Sequence, residues 1–195
     1  MPSIALHLKN VLAHPLKTAS LLPSSVRLAR HMVGAAEIEN AEVIVEFGPG
    51  TGVITEEIAG RMNPSAKLVA MEVNPDFAAR IRSDFPGAHV FNGCASKTAG
   101  CLRELGIDGC DRIVSGLPWA IFSDGFQKKI LSAAAEALRP GGVFVSFAYT
   151  PAHMLPSGRN FKKNLEAAFG EVSKTPVEWR NVPPAFAYRA VKKAA

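Results

Sequence analysis

The sequence predicts an α/β fold: a seven-stranded, mostly parallel sheet with helices on both faces, preceded by an N-terminal amphipathic helical extension. Three adjoining features carry this prediction. Val43–Phe47 is a short β-branched, apolar run holding one carboxylate, Glu46, and reads as a buried strand. Gly48-Pro49-Gly50-Thr51-Gly52 follows at once and forces a tight turn. Residues without a Cβ accept positive φ there and let a ligand approach the backbone. Residues 53–62 then have helical composition. Strand, glycine turn and helix together open a nucleotide-binding α/β unit, with the ligand at the helix N-terminus.

A second strand begins at Lys67 and ends at Glu72. An acid about 20 residues after the glycine turn, at the carboxyl end of a strand, is placed to hold ribose hydroxyls. The dinucleotide pattern G-x-G-x-x-G is absent; the glycines run G-x-G-x-G behind Glu46. A carboxylate two residues before the first glycine repels a pyrophosphate and suits a cationic ligand.

Composition narrows the class. A chain of 195 residues with 48% hydrophobic and 20% charged content is large enough for one domain with its own core and is not a disordered segment. The net charge of +5 and pI near 9.3 favour an anionic partner, either nucleic acid or a membrane surface. Cys94, Cys101 and Cys110 are odd in number and lack C-x-x-C spacing. They form neither a disulfide framework nor a zinc motif, and a reducing cytosol is expected. The N-terminus shows no secretory signal pattern, and no run of about 18 apolar residues suggests a membrane span.

In chain order, residues 4–16 form an amphipathic pattern. Ile4, Leu8, Val11 and Leu12 share one face, opposite His7, Asn10, His14 and Lys17. Such a helix either packs on the domain or lies on a bilayer. Ser24 or Ser25 caps a helix over Val26–Ala36. This gives a helical segment over 1–36 and a main domain over 37–195. Residues 75–85 read as a helix with a core stripe of Phe77, Ile81 and Phe85, and 88–91 as a third strand. Residues 111–114 form a fourth strand, leading into Ser115-Gly116-Leu117-Pro118-Trp119. Loops leaving the carboxyl ends of central strands hold ligands in open α/β sheets. A helix over 126–138 stops at Arg139-Pro140-Gly141-Gly142, and a fifth strand covers 143–149. A basic segment with Arg159, Lys162 and Lys163 enters a helix ending near Phe169. Two strands around a proline bend in 177–193 complete the sheet, the last one antiparallel.

Glu46-Phe47-Gly48-Pro49-Gly50-Thr51-Gly52, with Glu72 beyond it, resembles motifs I and II of the class I S-adenosylmethionine (SAM) methyltransferases, which have a Rossmann-like fold. SAM carries a sulfonium and an amino group and no phosphate, in keeping with Glu46. The further combination of L-P-S-S (22–25), E-V-N-P-D-F (72–77), S-G-L-P (115–118) and W-R-N-V-P-P-A-F-A-Y-R (179–189) is similar to the bacterial phospholipid N-methyltransferases. Those enzymes convert phosphatidylethanolamine stepwise toward phosphatidylcholine; ornithine-lipid N-methyltransferases are close relatives. The resemblance implies SAM bound by Ser25, Glu46, Gly48, Gly50, Thr51, Gly52, Glu72, Val73, Asn74, Cys94, Ala95, Ser96 and Ser115, with S-adenosylhomocysteine as product. Methyltransferases usually carry Gly-Asp-Ala where this chain has Gly93-Cys94-Ala95, so the adenine contact falls to backbone or to Ser96. Ser115, Trp119 and Tyr149 are implied at the acceptor amine. Tyr149, Arg180, Tyr188 and Arg189 are implied at the lipid phosphate, and Tyr149 or Asp124 as a proton relay. The implied partner is a phospholipid head group on an anionic membrane, with the protein peripheral to the inner face of the cell membrane. No nucleic acid and no obligate protein partner are expected. An RNA adenine-N6 methyltransferase shares the SAM motifs and the basic charge, and stands as the alternative.

Overall fold

The computed structural model describes residues 25–150 and 152–193; the amphipathic pattern at 4–16 lies outside them. Helix α1 (Val26–Ala36) starts where Ser25 accepts a hydrogen bond from the Leu28 amide, as an N-cap should. The chain then alternates: β1 (Val43–Phe47), α2 (Val53–Arg61), β2 (Lys67–Glu72), α3 (Pro75–Asp84), β3 (His89–Asn92), α4 (Thr98–Glu104), β4 (Cys110–Ser115), α5 (Asp124–Ala137), β5 (Leu138–Tyr149), α6 (Pro156–Phe169), β6 (Gly170–Lys174) and β7 (Ala185–Lys192). The start of α3 is fixed by Asn74, whose side chain accepts from the Asp76 and Phe77 amides ahead of Pro75 at the first helical position.

The seven strands run in the order β3-β2-β1-β4-β5-β7-β6. Strands β1 to β5 pair in parallel, and only β7 runs against its neighbours. The strand order turns back between β1 and β4, so ligands are expected at their carboxyl ends. Two layers cover the sheet. Leu28, Met32 and Val33 of α1 pack with Ile44, Val114 and Val145 on one face. Phe47, Ile113 and Phe144 meet Leu131 of α5 and Phe161 and Leu165 of α6 on the other. The alternation of β1 follows: Val43, Val45 and Phe47 belong to the second layer, Ile44 to the first.

The structure moves one strand. The sixth is Gly170–Lys174, upstream of the expected 177–193 span, and segment 175–184 is a loop carrying one isolated bridge, Glu178 to Ala185. G-E-V-S-K is a mostly exposed edge, so it lacks the apolar alternation that reveals a half-buried strand. The seven-residue α4, rich in small side chains, also escapes a periodicity reading. All three cysteines are free, with Cys101 and Cys110 buried. Among the described residues, no helix is long and apolar enough to cross a membrane.

Candidate active site

The glycine turn and the two carboxylates meet as the spacing requires. Gly48, Gly50 and Gly52 have φ of 70°, 54° and 91°, values that disfavour a residue with a Cβ. The Gly48 amide donates to the Met71 carbonyl at 2.9 Å, which docks the turn on β2. Glu72, nearly buried, clamps the turn: Oε2 accepts from the Gly50 amide at 3.0 Å and Oε1 from the Asn74 amide at 2.8 Å. A Cβ at Gly50 would meet nothing within 4 Å, so the outer side of the turn is open to a ligand. A Cβ at Gly52 would meet Ile81 at 3.1 Å and the Phe85 ring at 3.3 Å. The stripe read on α3 therefore supports the turn from behind.

Glu46 is fully buried. The Thr55 hydroxyl donates to its Oε2 at 2.7 Å, and Oε1 has no hydrogen-bond partner. Burial pushes its carboxyl up to about 8, and the Glu72 charge acts in the same direction. A buried acid with one unpartnered oxygen beside a ligand-binding turn is a receptor for a cation. The positively charged amino group and sulfonium of SAM fit that acceptor. The third piece is residues 92–96: the Gly93 amide and the Asn92 side-chain amide both donate to the Glu72 carbonyl at 2.9 Å. Ala95 is buried, and the Ser96 hydroxyl lies 3.3 Å from Cys94 Sγ. Glu46, Gly48, Gly50, Thr51, Gly52, Glu72, Val73, Asn74, Cys94, Ala95 and Ser96 thus converge at the carboxyl ends of β1, β2 and β3.

On the side expected to take the acceptor, a narrow aromatic cavity lies beside this turn: a Cβ at Gly48 would come within 2.8 Å of Leu117 on its wall. It is lined by Leu117, Pro118, Phe147, Tyr149, Phe161 and Tyr188, with Trp119 and His153 also on its wall. Its volume of about 30 Å³ leaves room for one or two water-sized groups. The Gly116 amide donates to the Phe47 carbonyl at 2.8 Å, fastening the acceptor loop to the end of β1. Ser115 is buried, and its hydroxyl accepts from the Trp119 indole at 3.2 Å and the Leu117 amide at 3.4 Å. Ser115 therefore shapes the loop from within. The phenols of Tyr149 and Tyr188 are raised by burial, Tyr188 to about 12 with the Glu166 charge adding to it. Both remain protonated at neutral pH and act as neutral hydrogen-bonding groups.

Several expected roles are corrected. Trp119 does not present an open face to an amine: Phe161 stacks on it at 4.6 Å between centroids, with Phe122 and Phe144 packed against it edge-on. Arg189 points away from the cavity, its guanidinium bonded to the Ala35 carbonyl at 3.1 Å and Glu37 at 3.2 Å. Its neighbour Tyr188 faces the other layer, because consecutive strand residues alternate. Arg180 is exposed on the 175–184 loop and does not line the cavity. The Ser25 hydroxyl is spent on the cap and on donation to Asn181 at 2.5 Å, tying α1 to that loop. Asp124 is exposed; its hydrogen bonds to Lys128 and Asn164 hold its carboxyl below the usual range. It lies outside the cavity lining, so it is no proton relay.

Gln127 and Asn164 were not legible as site residues. Buried Gln127 donates to the Trp119 carbonyl at 2.8 Å and accepts from Asn164 at 3.0 Å, pinning the acceptor loop to α5 and α6. The available signal was a polar residue on the buried stripe of each helix. Gln127→Ala takes a donor from the Trp119 carbonyl, which keeps the Phe122 amide at 3.2 Å, and an acceptor from Asn164, which keeps Asp124, and is expected to cost about 1–2 kcal/mol. Urea denaturation would show this as a lower midpoint at constant slope.

Comparison with known proteins agrees with this geometry. Residues 44–142 match the family model described as "Methyltransferase domain". The chain is 34% identical over 199 residues to an ornithine lipid N-methyltransferase of Singulisphaera acidiphila, covering 100% of both chains. A probable ribosomal RNA small subunit methyltransferase A of Methanosarcina mazei is 29% identical over 93 residues, covering 48% of this chain and 32% of the relative. In structure, an O-methyltransferase from Bacillus cereus in complex with SAH superposes with a TM-score of 0.69 at 18% identity, covering 98% of this chain and 93% of that one. N-methyltransferase NodS from Bradyrhizobium japonicum gives a TM-score of 0.68 at 14% identity, with 87% and 97% covered. The buried acid, the glycine turn clamped by Glu72, the family match and the relative aligned over its whole length agree: the chain belongs to the class I SAM-dependent methyltransferase family, as an N-methyltransferase.

Proposed function

We propose that the protein N-methylates the amino head group of a zwitterionic membrane lipid, of which phosphatidylethanolamine and ornithine lipid are the two candidates. The observation that carries this reading is the narrow, aromatic acceptor cavity at the end of β5. Its apolar, aromatic lining suits an amine and its methyl groups, and the wall would have to open much further for a purine base. The full-length relative is itself a lipid N-methyltransferase. The ribosomal RNA relative given above aligns over only 48% of this chain. The motif resemblance favours phosphatidylethanolamine, and the relative's name favours ornithine lipid. The +5 net charge supports a peripheral site on the anionic inner face of the cell membrane.

SAM, when bound, supplies an electrophilic methyl and is released as S-adenosylhomocysteine. The chain's own residues supply placement. Glu46 would hold the cationic end of the cofactor and Glu72 its ribose. The Ser115–Trp119 loop, held by Gln127, sets the cavity against the glycine turn. The apolar wall favours the neutral amine over the ammonium, so the acceptor releases its proton to solvent water as it enters. With Tyr149 and Tyr188 protonated and Asp124 outside, positioning accounts for most of the catalysis.

The test is methyl transfer from labelled SAM to vesicles of phosphatidylethanolamine or ornithine lipid, with unmodified ribosomal RNA in parallel. Label in the lipid phase is expected, and the better acceptor identifies the head group. Label in RNA alone would overturn the reading.

A further inference from the structure

A second depression adjoins the aromatic cavity. It is lined by His153, Met154, Arg159, Lys162, Lys163, Glu166 and Tyr188, and it shares His153 and Tyr188 with the cavity. Arg159, Lys162 and Lys163 stand at positions i, i+3 and i+4 of α6, which puts them on one helix face. His153 sits on the short turn just before α6, its ring edge-on to Phe186, and its Nδ1 is buried without a hydrogen-bond partner. Lys174 adds a cation 5.5 Å above the Tyr188 ring. Among the described residues Glu166 is the one carboxylate lining the depression, and Lys162 neutralises it within the helix. The surplus is positive, and Tyr188 is a neutral donor at the boundary between the two spaces.

We infer that this depression is an oxyanion subsite of the acceptor. Arg159, Lys163 and His153 hold a phosphodiester or carboxylate while the amine of the same molecule enters the cavity across Tyr188. The inference rests on the amino-lipid reading above and adds to it how the head group is recognised. It replaces Arg180 and Arg189, which the fold directs elsewhere. Arginine and lysine suit this task because each adds charge-assisted hydrogen bonds to oxyanions. Placing the charges on one helix beside the cavity also explains how an acceptor with separated amine and anion is aligned.

The experiment uses acceptors that stay monomeric in water, so that membrane adsorption cannot imitate recognition. Dihexanoyl phosphatidylethanolamine carries a phosphodiester, a short N-acyl ornithine carries a carboxylate, and hexylamine carries no anion. The double variant Arg159→Gln/Lys163→Gln is compared with wild type and with Lys129→Gln, an exposed lysine on α5. The double variant is expected to raise KM for an anion-bearing acceptor about tenfold, with little change in kcat or in SAM affinity. Its preference for that acceptor over hexylamine should collapse, while Lys129→Gln leaves the preference intact. The acceptor most affected tells phosphodiester from carboxylate. Unchanged KM for the soluble zwitterions overturns the subsite even if vesicle binding weakens. If wild type methylates neither lipid, the amino-lipid reading fails and the subsite with it.

Discussion

Glu46→Gln is expected to remove most SAM affinity while making the ligand-free protein more resistant to alkaline pH. The carboxyl is fully buried, with one oxygen bonded to Thr55 and the other unpartnered. Its folded-state value is raised from 4.5 to about 8. A carboxyl raised on folding contributes its stability fully below the unfolded value and loses it as pH rises through the folded one. Between these two values the unfolded chain releases a proton that the folded chain retains, so wild type loses on the order of a few kcal/mol. Glutamine has no proton to lose and should flatten this slope. Thermal melts of ligand-free protein at about pH 5 and about pH 9 would show the variant gaining on wild type at the alkaline end. SAM affinity should move the other way. A bound cation favours the ionised carboxyl, so wild-type affinity is expected to rise as pH increases through about 8 and to release a proton on binding below it. The variant should bind about a hundredfold more weakly, with no proton release, because a buried ionic contact is lost. Calorimetry in two buffers of different ionisation enthalpy would measure this. Equal affinity in both proteins would show that Glu46 does not face the cofactor.

Gly116→Ala is expected to cut kcat/KM about a hundredfold without unfolding the protein, since misplacement by about 1 Å is enough for that loss. The added Cβ would lie 2.8 Å from the Gly48 carbonyl oxygen and 3.3 Å from Ile54. The first obstacle is backbone, so no rotamer change relieves it; the acceptor loop must move off the glycine turn. That movement separates the residues that hold the cofactor from those that form the cavity. Gly60→Ala, with nothing within 4 Å of its Cβ, is the control and should be neutral or slightly stabilising. Circular dichroism together with acceptor kinetics would check both. Turnover of the Gly116 variant within about twofold of wild type would show that the contact between the loops does not set the reaction geometry.

The cofactor half of the site was legible because its signals are local. Glycines that need positive φ, a carboxylate inside an apolar strand, and an acid one strand later all lie within 27 residues, 46 to 72. The partner of Glu46 was not, because Thr55 is nine positions on, beyond the turn. The acceptor half was harder because its walls come from the loop after β4 and from β5, α6 and β7, and the pairing order decides what meets. Arg189 illustrates the limit. Its identity suggested a phosphate ligand, yet its guanidinium is bonded to the Ala35 carbonyl and to Glu37 at the end of α1, a partnership that nothing local to β7 announces. The basic segment at 159–163 was visible, but nothing local placed it beside Tyr188.

Lipid analysis of a bacterium that makes both phosphatidylethanolamine and ornithine lipid but methylates neither would test the central claim most directly. Expression of the wild-type chain is predicted to produce N-methylated head groups on at least one of them, and the Glu46→Gln chain none. Unchanged lipids alongside new methyl groups in ribosomal RNA would contradict the account.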